Sequence, residues 1–381
     1  MTEYQKIIPI ANQIMKKYYL CDNCLGRLFS KKLHLSSNKL LGKKLKKKPR
    51  TSKKCYVCKN LFDHLDSLLK LMYDASSDHC YSSFSVGAII KPSIIDRDDY
   101  IRSKYRLKGV DSVKTDITKE LGKLFSRRTK KRIDHADPEI TFILNLKDEL
   151  CQLRSKSVVF SGRYVKTLRG LAQKQKQCGK CFGKGCRICN FHGISEFNSV
   201  EGLISEFLFK KLGGTIAKFT WIGGEDKSSL VLGSGRPFFV KIQNPLKRDL
   251  RLRNTQLGSV KIRNLKNTNE SPKKPVKFIS TIGVKISTKF EIDAKNLRKL
   301  KDLKNHPIVI YDKSGKRSEK KVFSVKYKKN PNEGFTMIVK AEGGLPVKRF
   351  VTGDDVSPSL SSILNTQCTC TEFDFLEIEV K

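Results

Sequence analysis

The sequence predicts a multidomain α+β protein whose strands outnumber its helices and pair mainly antiparallel. Three observations carry this expectation. At roughly 150 residues per domain, 381 residues favour two or three domains. Hydrophobic residues make up 38% and aromatics 9%, enough for real cores. Strand-like stretches recur through the second half with few helical patterns between them, which is the arrangement of an α+β protein.

Taken in order, the first 19 residues, MTEYQKIIPIANQIMKKYY, read as an amphipathic helix. Two related phrases follow, Cys21-Asp-Asn-Cys24-Leu-Gly-Arg-Leu28-Phe29 and Cys55-Tyr-Val-Cys58-Lys-Asn-Leu61-Phe62. Each is a C-x-x-C knuckle that runs into Leu-Phe, as at the entry to a helix. Two knuckles can supply the four thiolates of a closed tetrahedral zinc site, which staples a small domain. Between them, Lys31 to Lys54 holds eleven Lys or Arg and no acid. Such a run is a solvated surface or a phosphate contact.

Glu139–Leu146 and Ser157–Ser161 are strand candidates, the first introduced by Asp137-Pro138 and preceded by the basic cluster Arg127–Arg132. Further on stand Cys178-Gly-Lys-Cys181-Phe-Gly-Lys-Gly-Cys186-Arg-Ile-Cys189 and His192. Four cysteines this close, with glycines for the turns, are a strong structural-zinc signal, because four thiolates leave no open position for chemistry. His192 is expected to be a loop histidine and not a ligand. Ser199–Leu212 is the clearest helix: Ser199 caps it, Val200, Leu203, Ile204, Phe207, Leu208 and Leu212 share one face, and Gly213-Gly214 stops it. Strands are expected at 216–221, 238–242, 276–282, 308–311 and 335–341.

Charge narrows the function. The chain carries 77 Lys and Arg against 37 Asp and Glu, a formal net charge of +40. A surplus of that size opposes compaction and points to a polyanionic partner, above all nucleic acid. It argues against an acidic-surface enzyme that handles small cations. No run of 18 apolar residues suggests a membrane span, and the N-terminus lacks the apolar core and cleavage site of a secretory signal. The expected location is the cytoplasm, where eight of the twelve cysteines, in four C-x-x-C pairs, read as metal ligands and not disulfides. Cys80, Cys151, Cys368 and Cys370 are expected to be small buried hydrophobes.

After Trp221 comes a glycine-flanked acidic loop, Gly223-Gly224-Glu225-Asp226-Lys227-Ser228-Ser229-Leu230, before Gly233-Ser-Gly235-Arg236-Pro-Phe238. Acids in so basic a chain have two readings. Either they pair structurally with Arg236 or a lysine, or they face a ligand that the glycines let approach.

These phrases, in order, resemble the archaeal-type tRNA pseudouridine synthases that act on the T-loop at tRNA positions 54 and 55. The resemblance rests on the two N-terminal knuckles, Ser161-Gly-Arg163-Tyr164-Val-Lys166, Arg169-Gly170 and the Cys178–Cys189 knuckle. It continues through Gly233-x-Gly235-Arg-Pro-Phe238, Glu342-Gly-Gly-Leu345, Gly353-Asp354 and Pro358-Ser-Leu-Ser-Ser362. Asp137-Pro138-Glu139 and the alternating residues after it also resemble the end of THUMP domains, which are RNA-binding modules. The division implied is a zinc-knuckle segment over 1–75, a THUMP-like domain over 76–165, and a pseudouridine synthase domain over 166–381 with the second knuckle inserted at about 173–193.

The resemblance implies a uridine isomerase: the C1′–N1 bond breaks, the uracil turns, and C5 joins C1′, with no cofactor for the chemistry and zinc only as a structural element. It places the catalytic aspartate at Asp226. An ionised carboxylate can attack C1′ or remove the 2′ proton, and it stabilises positive charge at the sugar. Phe278 occupies the position of the aromatic that stacks on the flipped uracil, usually Tyr. Lys348, after Glu342-Gly-Gly-Leu345-Pro-Val347, occupies the position of the basic residue that holds the aspartate. Arg236 and Val347 are expected beside them at the substrate, and Glu225 is expected to matter little. The metal ligands expected are Cys21, Cys24, Cys55 and Cys58 in one set, and Cys178, Cys181, Cys186 and Cys189 in the other.

The family phrase is Gly-Arg-Glu-Asp-x-Asp-x-Arg; here Gly224, Ser228 and Leu230 replace its first Arg, second Asp and last Arg. The rival expectation is a non-catalytic zinc-containing tRNA-binding protein or chaperone, which keeps the charge and the knuckles and needs no particular acid. The expected partner is tRNA in either case, and the sequence indicates no protein partner.

Overall fold

A computed structural model describes residues 3–46, 53–312, 314–330 and 334–380. The chain divides into two compact units, 1–156 and 157–381.

In the first unit, helix α1 (Glu3–Lys17) buries Ile7, Ala11 and Ile14, as its amphipathic spacing requires. Cys21 then caps α2 (Asp22–Ser30) by accepting from the Cys24 N–H. Helix α3 (Asn38–Lys46) packs on α2 with almost no space between backbones. A Cβ on Gly26 would stand 1.8 Å from Asn38 O, and one on Gly42 1.9 Å from Asp22 O. The glycine of the Cys-Leu-Gly-Arg phrase is therefore a helix-crossing residue. Of the basic run, Lys43, Lys44 and Lys46 end α3, while Lys47 and Lys48 lie outside the described residues.

A single 3-10 turn at Leu61–His64 leads into α4 (Leu65–Ser76), so both knuckles do enter helical segments. Next come β1 (Ser83–Ile89), α5 (Pro92–Lys104), α6 (Val113–Thr129), β2 (Arg132–Ile133), β3 (Ile140–Asn145) and β4 (Leu150–Ser155). The sheet order is β2-β1-β3-β4, with β1 parallel to β2 and β3 and β4 antiparallel to β3. Phe84, Phe125 and Phe142 meet edge-on at its centre, with centroids 5.0 to 5.9 Å apart. Arg27, from the same phrase as Gly26, is buried in an ion pair with Asp98 of α5, and its Nη1 donates to Asp111 O at 2.6 Å.

The second unit begins with β5 (Val158–Lys166), followed by α7 (Val200–Leu212), β6 (Ala217–Trp221), β7 (Val231–Ile242), β8 (Leu252–Leu257), β9 (Val260–Thr268) and β10 (Phe278–Thr288). Then come α8 (Ala294–Arg298), β11 (Ile308–Tyr311), β12 (Arg317–Lys320), β13 (Val322–Lys329), β14 (Phe335–Glu342), α9 (Val347–Thr352), β15 (Val356–Ser357), α10 (Leu360–Leu364) and β16 (Cys368–Val380). The large sheet runs β13-β14-β10-β16-β7-β5-β9-β8, with β6 also on β7. Its pairs are antiparallel except β16 with β7, which touch in parallel at Phe375 and Val231. Strands β12-β11-β15 form a small second sheet.

Helix α7 matches the sequence expectation at both ends. Ser199 accepts from Gly202 N–H, and Gly213 closes the helix at φ 68°. Val200, Ile204, Leu208 and Leu212 are buried in the core of this unit. Each such side chain contributes about 1.5–3 kcal/mol relative to exposure.

Two readings need correction. The strand that starts at 158 does not close the THUMP-like domain: β5 pairs with β7 and β9 of the second unit, so the division falls at 156/157 and not at 165/166. Of the four unpaired cysteines only Cys368 is buried; Cys151 and Cys370 are half-buried and Cys80 is exposed. Among the described residues, no helix is long and apolar enough to cross a membrane.

Candidate active site

The acidic loop 223–230 joins β6 to β7, and its two acids have opposite environments. Glu225 points inward and its side chain is fully buried. Its Oε1 lies 3.0 Å from Lys166 Nζ and its Oε2 lies 3.4 Å from Arg236 Nε, both cations being fully buried too. Tyr164 donates its hydroxyl hydrogen to Glu225 Oε2 at 2.8 Å and accepts from Gln173 Nε2 at 2.9 Å. Burial pushes the Tyr164 hydroxyl well above its ordinary value, with the Glu225 charge adding to it, so it stays a donor.

Asp226 points outward into a cleft of about 410 Å³. Lys348 Nζ donates to its Oδ2 at 2.9 Å. The N–H and hydroxyl of Ser228 both donate to its Oδ1, at 2.9 and 2.7 Å. The Ser228 N–H leads the causes that hold the Asp226 carboxyl down to about 2, with the Ser228 hydroxyl and Lys348 adding to it against the opposing effect of burial. It is therefore ionised at neutral pH. Ser228, which replaces an acid of the family phrase, thus serves the aspartate as a donor.

The loop that carries Asp226 is fastened along its length. Gln173 Nε2 donates to Gly223 O at 3.3 Å, Arg236 Nη1 to Ile222 O at 2.9 Å, and Lys166 Nζ to Asp226 O at 3.3 Å. Gly170 N–H donates to Lys227 O at 2.8 Å. Arg169 grips Asp374 with both Nη atoms, at 2.7 and 2.8 Å, and gives Nη1 to Ser228 O at 2.7 Å. Asp374 in turn accepts from Leu230 N–H at 2.9 Å. Arg169-Gly170 and Tyr164-Val-Lys166, 60 residues upstream, are thus the supports of the acidic loop. Gly235, at φ 85°, lets β7 approach β5: a Cβ there would stand 2.6 Å from Tyr164 O.

The cleft around Asp226 brings together Gly224, Val347, Lys348 and Arg349 with the aromatic residues Phe373 and Phe375. The expected residues Asp226, Lys348 and Val347 therefore meet. Two others do not join them. Arg236, expected at the substrate, is fully buried beneath the loop, where it pairs with Glu225 and lies 4.3 Å from the centroid of Phe375. Phe278 packs against Gly223 and Gly343 and lines a second hollow of about 430 Å³ with Lys277, Lys320 and Glu342. Glu225, expected to matter little, is the centre of the buried network. Phe373 and Phe375 escaped the sequence reading because strand β16 alternates acids with aromatics and looks like an exposed edge.

Each knuckle pair gathers its four sulfurs within 4.8 Å of one another: Cys21, Cys24, Cys55 and Cys58, and Cys178, Cys181, Cys186 and Cys189. Sγ separations of 3.6 Å for Cys21–Cys58 and 3.7 Å for Cys181–Cys189 fit the roughly 3.8 Å edge of a tetrahedron with Zn–S bonds near 2.3 Å. Backbone N–H groups turn toward sulfur, as Cys21 does to Cys55 at 3.2 Å and Gly185 to Cys181 at 3.2 Å. Both sets can hold zinc. His192 belongs to neither: its Nδ1 meets Thr215 O at 2.9 Å and its ring stacks on Phe209.

Comparison with known proteins follows the same two units. The sequence profile described as "Pus10, C-terminal" matches residues 159–379, more than half of the chain, and "Pus10 THUMP domain, archaeal" matches 69–145. The chain belongs to the Pus10 family. Among its Pus10 relatives, the tRNA pseudouridine synthase Pus10 of Nitrosopumilus maritimus is 68% identical over 381 residues, covering 100% of both chains. The protein of the same name from Cenarchaeum symbiosum is 36% identical, over 96% of this chain and 90% of that one. That of Methanocaldococcus jannaschii is 29% identical over 97% and 94%. The Pus10 C-terminal match contains the whole Asp226 cleft, and the Pus10 THUMP match contains the sheet β2-β1-β3.

Proposed function

We propose that this protein isomerises uridine to pseudouridine in the T-loop of tRNA, at position 54, 55 or both, with Asp226 as the catalytic carboxylate. The observation that carries the reading is the position of Asp226. It is an ionised acid at the mouth of an otherwise basic and aromatic cleft, fixed by Lys348 and Ser228 on a loop that a buried ion network holds still. A preorganised carboxylate of this kind can act on the ribose of a uridine lifted out of its stack. Lys348 and Ser228 hold the two oxygens, so the carboxylate meets the sugar without reorganising. Phe373, Phe375 and Val347 give the uracil an apolar wall.

Arg236 and Lys166 act through Glu225 as positioning residues and do not touch substrate. Phe278 supports Gly223 and Gly343 from the neighbouring hollow. Zinc at the two four-cysteine sets would supply folding stability and no step of the reaction. The first unit, with its THUMP match, and the charge of +40 serve tRNA binding. The 68% identity to a named synthase over the full length favours the enzyme over the non-catalytic tRNA-binding reading. Mapping of pseudouridine in an unmodified T-loop transcript after incubation with the protein tests it: the expected result is modification at 54 or 55, and an unmodified transcript returns the binding-protein reading.

A further inference from the structure

The second knuckle exposes three large apolar side chains. Phe182 is 74% exposed, Ile188 69% and Phe191 51%. Each stands beside a metal-type cysteine: Phe182 follows Cys181, Ile188 precedes Cys189, and Phe191 comes two residues after it. All three are therefore anchored to one small knuckle whose four sulfurs lie within 4.8 Å of one another.

Folding alone does not ask for phenylalanine here. A knuckle of this geometry needs left-handed backbone after its cysteines, and Gly183, Gly185 and Asn190 supply it in the ordinary way. Phe182 and Phe191 take the same left-handed region, at φ 48° and 61°, where a bulky residue is unfavourable. They are held there by backbone bonds, Phe182 N–H to Cys178 O at 2.9 Å and Phe191 N–H to Cys186 O at 2.8 Å. The strained positions thus present rings to solvent.

Charge says what would cover them. Lys174, Lys176, Lys180, Lys184 and Arg187 interleave with the knuckle, and no Asp or Glu stands between Glu149 and Glu196. Aromatic faces set among Lys and Arg, in a stretch of chain that itself holds no acid, are the chemistry of single-stranded nucleic-acid binding. Bases stack on the rings and the phosphates meet the cations. An acidic protein surface would satisfy the charge but has no need of exposed ring faces.

We propose that the Cys178–Cys189 knuckle is a base-stacking platform that binds unpaired nucleotides of the tRNA through Phe182 and Phe191, apart from the Asp226 cleft. It rests on the tRNA reading above, but its test separates the two. The full-length, zinc-replete protein and its Phe182→Ser/Phe191→Ser variant are compared for binding to an unmodified tRNA transcript across a salt series. The double variant should bind at least about thirtyfold more weakly, since two rings are lost and stacking is worth about 1–3 kcal/mol per base. It should keep the salt slope, because no charge is removed. Replacement of Lys180, Lys184 and Arg187 by Ala should instead flatten the slope.

A second measurement does not depend on weakening the protein. Phe182→Trp keeps the stacking face, so its affinity should match that of the unaltered protein, and the fluorescence that the new indole adds to that of Trp221 should be quenched when tRNA binds. Unchanged affinity in the double variant with zinc content intact overturns the proposal, as does an unquenched indole in Phe182→Trp. A change of oligomeric state in the double variant, with tRNA affinity unchanged, overturns it in favour of a protein-binding surface. If the unaltered protein modifies no tRNA, the isomerase reading fails, while the binding comparison still decides the platform.

Discussion

Glu225 Oε1 lies 3.0 Å from Lys166 Nζ with both side chains fully buried, one residue before an aspartate that is open to the cleft. The pair fixes the direction of the loop: with Glu225 drawn inward by Lys166 and Arg236, its neighbour must face out. Adjacent acids therefore divide the work, one anchoring and one exposed.

Glu225→Gln is expected to be costly. It leaves Lys166 and Arg236 buried without a counter-charge, and breaking a buried ion pair costs about 3–5 kcal/mol. Urea unfolding should show that loss. A stability unchanged within about 0.5 kcal/mol would mean that the cations find other partners.

Lys348→Ala should slow isomerisation on the order of tenfold, less than the about hundredfold loss typical of a preorganised donor in an enclosed site, because Lys348 is half exposed. The sign of the pH effect follows from Asp226. Its carboxyl is held down to about 2, so it is ionised throughout pH 4 to 8, and losing Lys348 only moves it back toward the usual carboxylate range. The lost rate should therefore not return at high pH. A pH–rate profile in which alkali restores Lys348→Ala would contradict this role.

The two four-cysteine sets were legible from their spacing, and the structure gathers their sulfurs. Asp226, Val347 and Lys348 came only from the resemblance to the pseudouridine synthases; the structure brings Lys348 to Asp226 across 122 residues of chain. Arg236 could not be assigned this way: a Gly-x-Gly-Arg phrase does not say whether its arginine faces in or out, and only the register of β7 against β5 decides it. Nor could the sequence say which loop acid pairs with Arg236 or a lysine; the structure gives that place to Glu225, between Lys166 and Arg236. Strand β9 breaks its period-2 pattern at Asn264, which sits at φ 51°, although Val260, Ile262 and Leu265 are fully buried. Strand β5 was visible, but its partners in the second unit, and so the division of the chain, were not.

Gly343→Ala tests the support beneath the loop. Its new Cβ would stand 2.3 Å from Phe278 Cζ and 2.4 Å from both Cε atoms, so the ring must move. Overpacking of this kind costs about 1–3 kcal/mol. Phe278→Leu in the same chain should recover part of the loss, which a double-mutant cycle of unfolding free energies reads directly. Strictly additive losses would show that the two positions are not in contact.

Metal analysis of protein purified without added zinc should give two zinc ions per chain, one at each four-cysteine set. A value clearly below one contradicts both sites, and a value near one leaves only the Cys178–Cys189 set.

As the proposed catalytic carboxylate, Asp226 should do the chemistry and little of the binding. Asp226→Asn keeps the shape of the side chain and removes its charge. Pseudouridine formation in a T-loop transcript under single-turnover conditions should fall by on the order of a thousandfold or more. The affinity for the same transcript should stay within about twofold, because phosphate contacts elsewhere dominate binding. A folded Asp226→Asn protein that retains most of its activity would contradict the account.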